Sequence, residues 1–251
     1  MSVKLAGFSE PGMVRTRNED AALLQDTVVQ SNSTGDILAR QGESPWVAVA
    51  DGLGGHPDGH IASNTLLRSL ISSEQPFREK SDLNELAAYL ASSLLQRSRE
   101  RGKPGMASTL TALYCTPEKL FLVHCGDCRA YLIKPDGSKL ISADHTLVFQ
   151  NYQRGELTLE QVRMHPMKNR ILRCIEASES IPELELHTLE RKPGMRLALL
   201  SDGIWEAMPQ EKLLELVQKP DLVRCCEAVR KEYYVSGARD NGTMVMLELP
   251  D

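Results

Sequence analysis

The chain has 251 residues, 41% hydrophobic and 25% charged, which fits one globular domain long enough to bury a core without covalent staples. Lys and Arg number 29 against 34 Asp and Glu, a formal net charge of −5, and this excludes a nucleic-acid binder that relies on bulk positive charge. No apolar run approaches the roughly 18 residues that span a bilayer, the N-terminus does not read as a signal peptide, and six cysteines are too sparse for a disulfide scaffold, so the chain reads as a cytoplasmic protein with reduced thiols.

Apolar runs and alternation predict strands over residues 3–9, 21–25 and 46–50, with a polar, turn-rich stretch at 30–45 that reads as a loop. Helical periodicity follows over 59–72, where Ile61, Leu66, Leu70 and Ile71 gather largely on one side. A second helix is predicted over 83–101, capped by Asp82 and striped by Leu86, Leu90, Leu94 and Leu95. Strands are predicted next at 109–115, 120–124 and 130–133, and Pro135-Asp136-Gly137 marks a hairpin turn. The last third reads as strands at 184–188, 195–200 and 243–249, with helices at 209–218 and 220–234 that each begin near a proline. Strands in consecutive runs with helices grouped between them predict an α+β layered sandwich and not a regular βαβ sheet.

The informative pattern is where the aspartates fall. The apolar run at 46–50 passes directly into Asp51-Gly52-Leu53-Gly54-Gly55-His56, and the run at 196–200 into Ser201-Asp202-Gly203. Asn18-Glu19-Asp20 and Arg239-Asp240-Asn241 stand at the mouths of two further strands. Any one Asp-Gly after a strand is more often a turn than a site. Four carboxylates gathered at one sheet end form a hard oxygen donor set suited to Mg²⁺ or Mn²⁺.

Seven short stretches in order then make the chain resemble the bacterial branch of the metal-dependent Ser/Thr protein phosphatases, the protein phosphatase 2C-like (PPM) family. They are Gly12-Met13-Val14-Arg15-Thr16-Arg17-Asn18-Glu19-Asp20, the Asp51–His56 run, Ala107-Ser108-Thr109, Gly126-Asp127-Cys128-Arg129, Asp144-His145-Thr146, Ser201-Asp202-Gly203 and Asp240-Asn241-Gly242-Thr243. The resemblance implies a four-layer α-β-β-α sandwich, two antiparallel sheets flanked by helices, in a single catalytic domain over 1–251 with a flap at about 150–170. It implies that Asp51 bridges two metal ions, that Gly52 offers one its carbonyl, that Asp202 and Asp240 complete the pair, and that Asp20 acts mostly through a metal-bound water. Asp127 matches the residue that helps hold a third, looser ion. Arg15 falls at the family's phosphate-binding position, where a guanidinium grips two oxygens at once.

Two departures mark this chain. Cys128 replaces the family's common Ser, giving a Cys125-x-x-Cys128 spacing with no second pair to complete a zinc site. Some members carry a histidine two residues after the bridging Asp, where this chain has Leu53; His56 is the candidate general acid, with positioning or a metal-bound water as the alternatives. The expected activity is Mn²⁺- or Mg²⁺-dependent hydrolysis of phosphoserine and phosphothreonine on proteins, opposing a Ser/Thr kinase, in a monomer with no membrane span and no nucleic-acid partner. The alternatives are a phosphatase of small phosphate esters and a catalytically weak binding module on the same fold. The flap carries Arg154, Arg163, Lys168 and Arg170 among Glu156 and Glu160, a positive balance expected to help dock an acidic phosphoprotein.

Overall fold

Strand β1 (Ser2–Glu10) opens the chain, followed by β2 (Asp20–Leu24), β3 (Thr27–Val29), β4 (Leu38–Glu43) and β5 (Trp46–Asp51). Helices α1 (Gly59–Ser72) and α2 (Lys80–Arg101) come next. Strands return as β6 (Ala107–Ser108), β7 (Leu110–Cys115), β8 (Lys119–Cys125), β9 (Arg129–Ile133) and β10 (Lys139–Leu140). Two short helices, α3 (Leu147–Gln153) and α4 (Leu159–Met164), precede β11 (Ile175–Glu176), β12 (Glu185–Glu190) and β13 (Arg196–Leu200). Helices α5 (Asp202–Trp205), α6 (Gln210–Leu216) and α7 (Leu222–Val235) lead into the closing strand β14 (Gly242–Glu248). This computed structural model describes residues 2–73, 80–135 and 137–250.

One six-stranded sheet has the order β10-β9-β13-β14-β1-β4 and the other β12-β8-β7-β5-β2-β3, with β11 and β6 forming a small third sheet. All of these pairings are antiparallel. Side-chain alternation builds the layers. In β14, Val245 and Leu247 pack between the sheets, while Met244 and Met246 face α7. In β5, Val47 and Val49 enter the same central layer, while Trp46, Ala48 and Ala50 meet Leu66, Leu70, Leu90 and Leu94 from α1 and α2. The result is the expected α-β-β-α sandwich.

Several local expectations are corrected. The stretch at 30–45 contains β4, which pairs with β1 along an edge. Its sequence, Leu38-Ala39-Arg40-Gln41-Gly42-Glu43, is mostly exposed and only its first two residues are apolar, so it carries no apolar alternation to read. Helix α2 begins at Lys80, so Asp82 stands inside its first turn and does not cap it. The strand expected at 109–115 is present as β7, and a short extra strand, β6, precedes it at Ala107–Ser108. The hairpin between β9 and β10 forms as expected, with Leu132 opposite Lys139, although Asp136 at its tip lies outside the described residues. Cys125 and Cys128 fall in different layers, Cys125 under α2 and Cys128 between the sheets, and both are buried and free.

Candidate active site

Antiparallel pairing brings five carboxylates to one end of the sandwich. Asp20 begins β2 directly opposite Asp51, which ends β5. Asp127 lies in the turn between β8 and β9, Asp202 follows β13, and Asp240 precedes β14. A cleft of about 660 Å³ opens here, lined by Asp51, Gly52, Asp127, Asp202 and Asp240 together with Arg15, Glu19 and His56.

The backbone that carries these groups is held tightly. Asp51 takes a hydrogen bond at its carbonyl from the Thr109 amide (2.8 Å) and another from the Ser108 hydroxyl (2.8 Å), and its own amide donates to Thr109 Oγ1 (3.0 Å). Gly52 donates its amide to the Glu19 carbonyl at 3.1 Å. A Cβ at Gly52 would stand 2.1 Å from the Gly59 carbonyl, so only glycine lets the start of α1 close on the end of β5. Asn241 binds the loop that carries Arg15: its Nδ2 donates to the carbonyls of Pro11 and Arg17 (both 3.0 Å), and its Oδ1 accepts from the Glu19 amide (2.9 Å).

Burial and mutual repulsion set the charges. Burial pushes Asp20 up to about 6, against partial relief from the Ser201 and Thr243 hydroxyls. Asp51 and Asp202 are held well above the usual carboxylate range by burial and by the neighbouring aspartates. Asp127 is pushed up to about 7 by burial, with Asp144 and Glu206 adding to the shift. Oδ2 of Asp20 and Oδ1 of Asp127 are buried with no hydrogen-bond partner among the described residues. With Arg15 beside Asp240 as its one paired cation among the described residues, the cluster is short of positive charge and leaves carboxylate lone pairs unanswered, and hard divalent cations would supply the first and take up the second. The donor set therefore fits Mg²⁺ or Mn²⁺. As the side chains stand, no three His, Cys, Asp or Glu among the described residues are grouped at ion-holding spacing. Asp240 instead turns its Oδ2 to Arg15 Nη2 at 2.7 Å.

The other expected residues divide. Arg15 lines the cleft and is raised above its ordinary value chiefly by its hydrogen bond to Asp240. His56 also lines the cleft and hydrogen-bonds the Gly105 carbonyl through Nδ1 at 2.7 Å, so Nδ1 carries the proton. His145 is structural, accepting from the Gly126 amide at Nδ1 (3.1 Å) and facing Glu185 at Nε2 (2.9 Å). Cys128 lies 3.2 Å from Thr109 Oγ1, and burial beside Asp51 and Asp127 raises its thiol well above the ordinary range, so it is no ready thiolate.

Residue reasoning did not single out the scaffold under Asp127. Arg129 forms a buried ion pair with Asp144 at 2.7 Å, both side chains at most 2% exposed. Its guanidinium stacks 3.7 Å from the centre of the Trp205 ring, and Trp205 Nε1 donates to the Asp127 carbonyl at 3.0 Å. The motifs Gly126–Arg129 and Asp144–Thr146 held the signal; the pairing between them needed the fold.

The family model described as Protein phosphatase 2C matches residues 22–236. The chain belongs to that family. It is 28% identical over 253 residues to the serine/threonine protein phosphatase PstP of Mycobacterium tuberculosis (strain CDC 1551 / Oshkosh), a match covering 99% of this chain and 45% of that protein, so it spans under half of that relative's length. It is 25% identical over 249 residues to the serine/threonine phosphatase stp of Listeria innocua, covering 96% of this chain and 93% of the relative. The crystal structure of the M. tuberculosis phosphatase PstP superposes with a TM-score of 0.82 at 28% identity, covering 100% of both chains. A catalytic domain of PstP in complex with two manganese ions gives 0.80 at 26% identity, again over 100% of both chains.

Proposed function

We propose that this chain hydrolyses phosphoserine and phosphothreonine on proteins in a Mn²⁺- or Mg²⁺-dependent reaction, opposing a Ser/Thr kinase. The observation that carries the reading is the ring of five aspartates at one sheet end, with orphaned carboxylate oxygens on two of them, in a cleft that also holds Arg15. Asp51, repelled by all four of the others, would hold the ions together with Gly52, Asp202 and Asp240, and Asp20 would act on them through water. Asp127, whose charge also raises Asp202, is the group for a third, looser ion. Bound there, two divalent cations supply a water acidic enough to act as a nucleophile at neutral pH and offset charge on the phosphoryl oxygens.

The chain's own residues do the rest. Arg15 is half exposed and free to turn from Asp240 to the phosphoryl oxygens, which a guanidinium binds in pairs. With Nδ1 committed to Gly105, His56 can give up a proton only from Nε2 of the imidazolium.

The test is hydrolysis of a phosphothreonine peptide before EDTA, after EDTA and after Mn²⁺ add-back. The reading requires loss and recovery. Turnover that survives chelation would overturn the metal-dependent chemistry, and cleavage of aryl phosphate with no phosphopeptide turnover would make this a small-ester phosphatase.

A further inference from the structure

The cleft has a second wall that this chemistry leaves unused. Leu147 enters the flap and residues 169–172 leave it, and both line the same cleft as Asp51, Asp202 and Asp240. Their backbone is fixed: Thr146 and Ile171 form an antiparallel bridge, the Leu147 amide donates to the Arg170 carbonyl (3.3 Å), and the Leu172 amide donates to the His145 carbonyl (2.7 Å). Most nearby cations are already answered. Arg154 pairs with Glu156, Arg163 with Glu160, Lys168 with Glu206 and Arg173 with Glu183, so the flap's positive balance is largely neutralised within its own neighbourhood. Arg15 is paired with Asp240. Arg170 is exposed, and among the described residues its side chain makes no hydrogen bond or ion pair. Beside it Leu147 and Leu172 are 38% and 50% exposed, an uncovered apolar ledge on the same wall.

Building on the phosphatase reading, we propose that Arg170 is a specificity-determining residue that receives an acidic side chain flanking the phosphoserine or phosphothreonine, while Leu147 and Leu172 pack an apolar neighbour. Three observations commit the wall to a peptide. A guanidinium fork matches a carboxylate, the ledge is apolar, and both are continuous with the cleft that takes the phosphoryl group. In a cleft already crowded with carboxylates, an acidic flank is admitted only where a free cation meets it.

The test uses three phosphopeptides that differ only in a flanking Glu, Ala or Lys, and p-nitrophenyl phosphate, each with Mn²⁺. Wild type should favour the Glu peptide over the Ala peptide about fivefold in kcat/KM, carried by KM and weakened by salt. Arg170→Gln should erase the preference and Arg170→Glu should move it to the Lys peptide. An unchanged peptide ranking in both variants would overturn the inference and leave the phosphatase reading standing. An equal fall on all four substrates would also overturn it, because Arg170 would then serve the phosphoryl group or the fold. Turnover of aryl phosphate alone by wild type would sink the protein-phosphatase reading and this inference together.

Discussion

Asp20 and Asp51 stand opposite each other on paired strands, an arrangement that a sheet selected for stability alone would avoid. Asp51→Asn keeps the shape and removes a charge that burial and four neighbours already disfavour. Turnover of phosphopeptide with Mn²⁺ should fall by on the order of 10³-fold, while the melting temperature in EDTA at neutral pH rises by about 3 °C. Opposite signs for activity and stability distinguish a ligand from a core residue, and a variant that kept a tenth of the activity would remove Asp51 from the metal pair. Arg15→Ala should raise KM for phosphopeptide about tenfold, and Mn²⁺ affinity measured by calorimetry should hardly move. A variant that lost its metal and kept its KM would show that the Arg15–Asp240 pair, and not phosphate grip, is the role of this side chain. The aspartates and Arg15 were legible in sequence because each sits at a strand end inside a short motif. Asn241 stood inside a motif and Arg170 among the cations expected to dock a substrate, but their individual parts were not legible: the first acts by bridging to Pro11 and Arg17, remote in the chain, and the second differs from the other cations of its segment in having no partner among the described residues.

Elements that are continuous apolar runs buried on both faces, such as β5, β13 and β14, could be read with almost their observed bounds. The flap helices could not, because α3 and α4 span 7 and 6 residues, too short for a 3.6-residue period to declare itself. A capping box was available at Thr158 and Gln161, where the hydroxyl accepts from the Gln161 amide (3.2 Å) and the Gln161 side chain accepts from the Thr158 amide (2.8 Å). The α3–α4 segment has its own small core in Val148, Phe149 and Val162, and Arg129 sits 6.0 Å from the Phe149 ring, which ties the packing of that segment to the Asp127 turn. Arg129→Met breaks that tie and leaves the Asp144 carboxylate buried alone, at a cost of about 3–5 kcal/mol. Urea unfolding should show the loss, and a second change, Asp144→Leu, should restore much of it by removing the stranded charge. If the single variant unfolds at the wild-type urea midpoint, the buried pair does not hold this corner together.

At the scale of the whole molecule, three apolar layers support one end that is electrostatically unfavourable in the absence of cations. Asp20 and Asp127 bind protons with values near 6 and 7 in the fold against 3.8 in the open chain, and Asp51 and Asp202 are shifted further in the same direction. The folded state therefore holds more protons than the unfolded state above pH 4, and stability in EDTA must fall as pH rises through the folded values. Buried His124 has the opposite sign: held down to about 3 by burial, it stays neutral in the fold while the unfolded residue charges below about 6.5, so it weakens the fold as pH drops from there. The two effects separate above pH 6.5, where His124 no longer contributes. Between pH 6.5 and 8, melting temperature in EDTA should decline with rising pH. Saturating Mn²⁺ should raise it throughout and reverse the slope, because the ions bind the deprotonated carboxylates of the folded state and compete with their protons. Differential scanning fluorimetry across that range reads both slopes at once. A flat or rising profile in EDTA would mean that the aspartates are already neutralised within the fold, and the case for a cation-requiring cluster would fail on a measurement that involves no substrate.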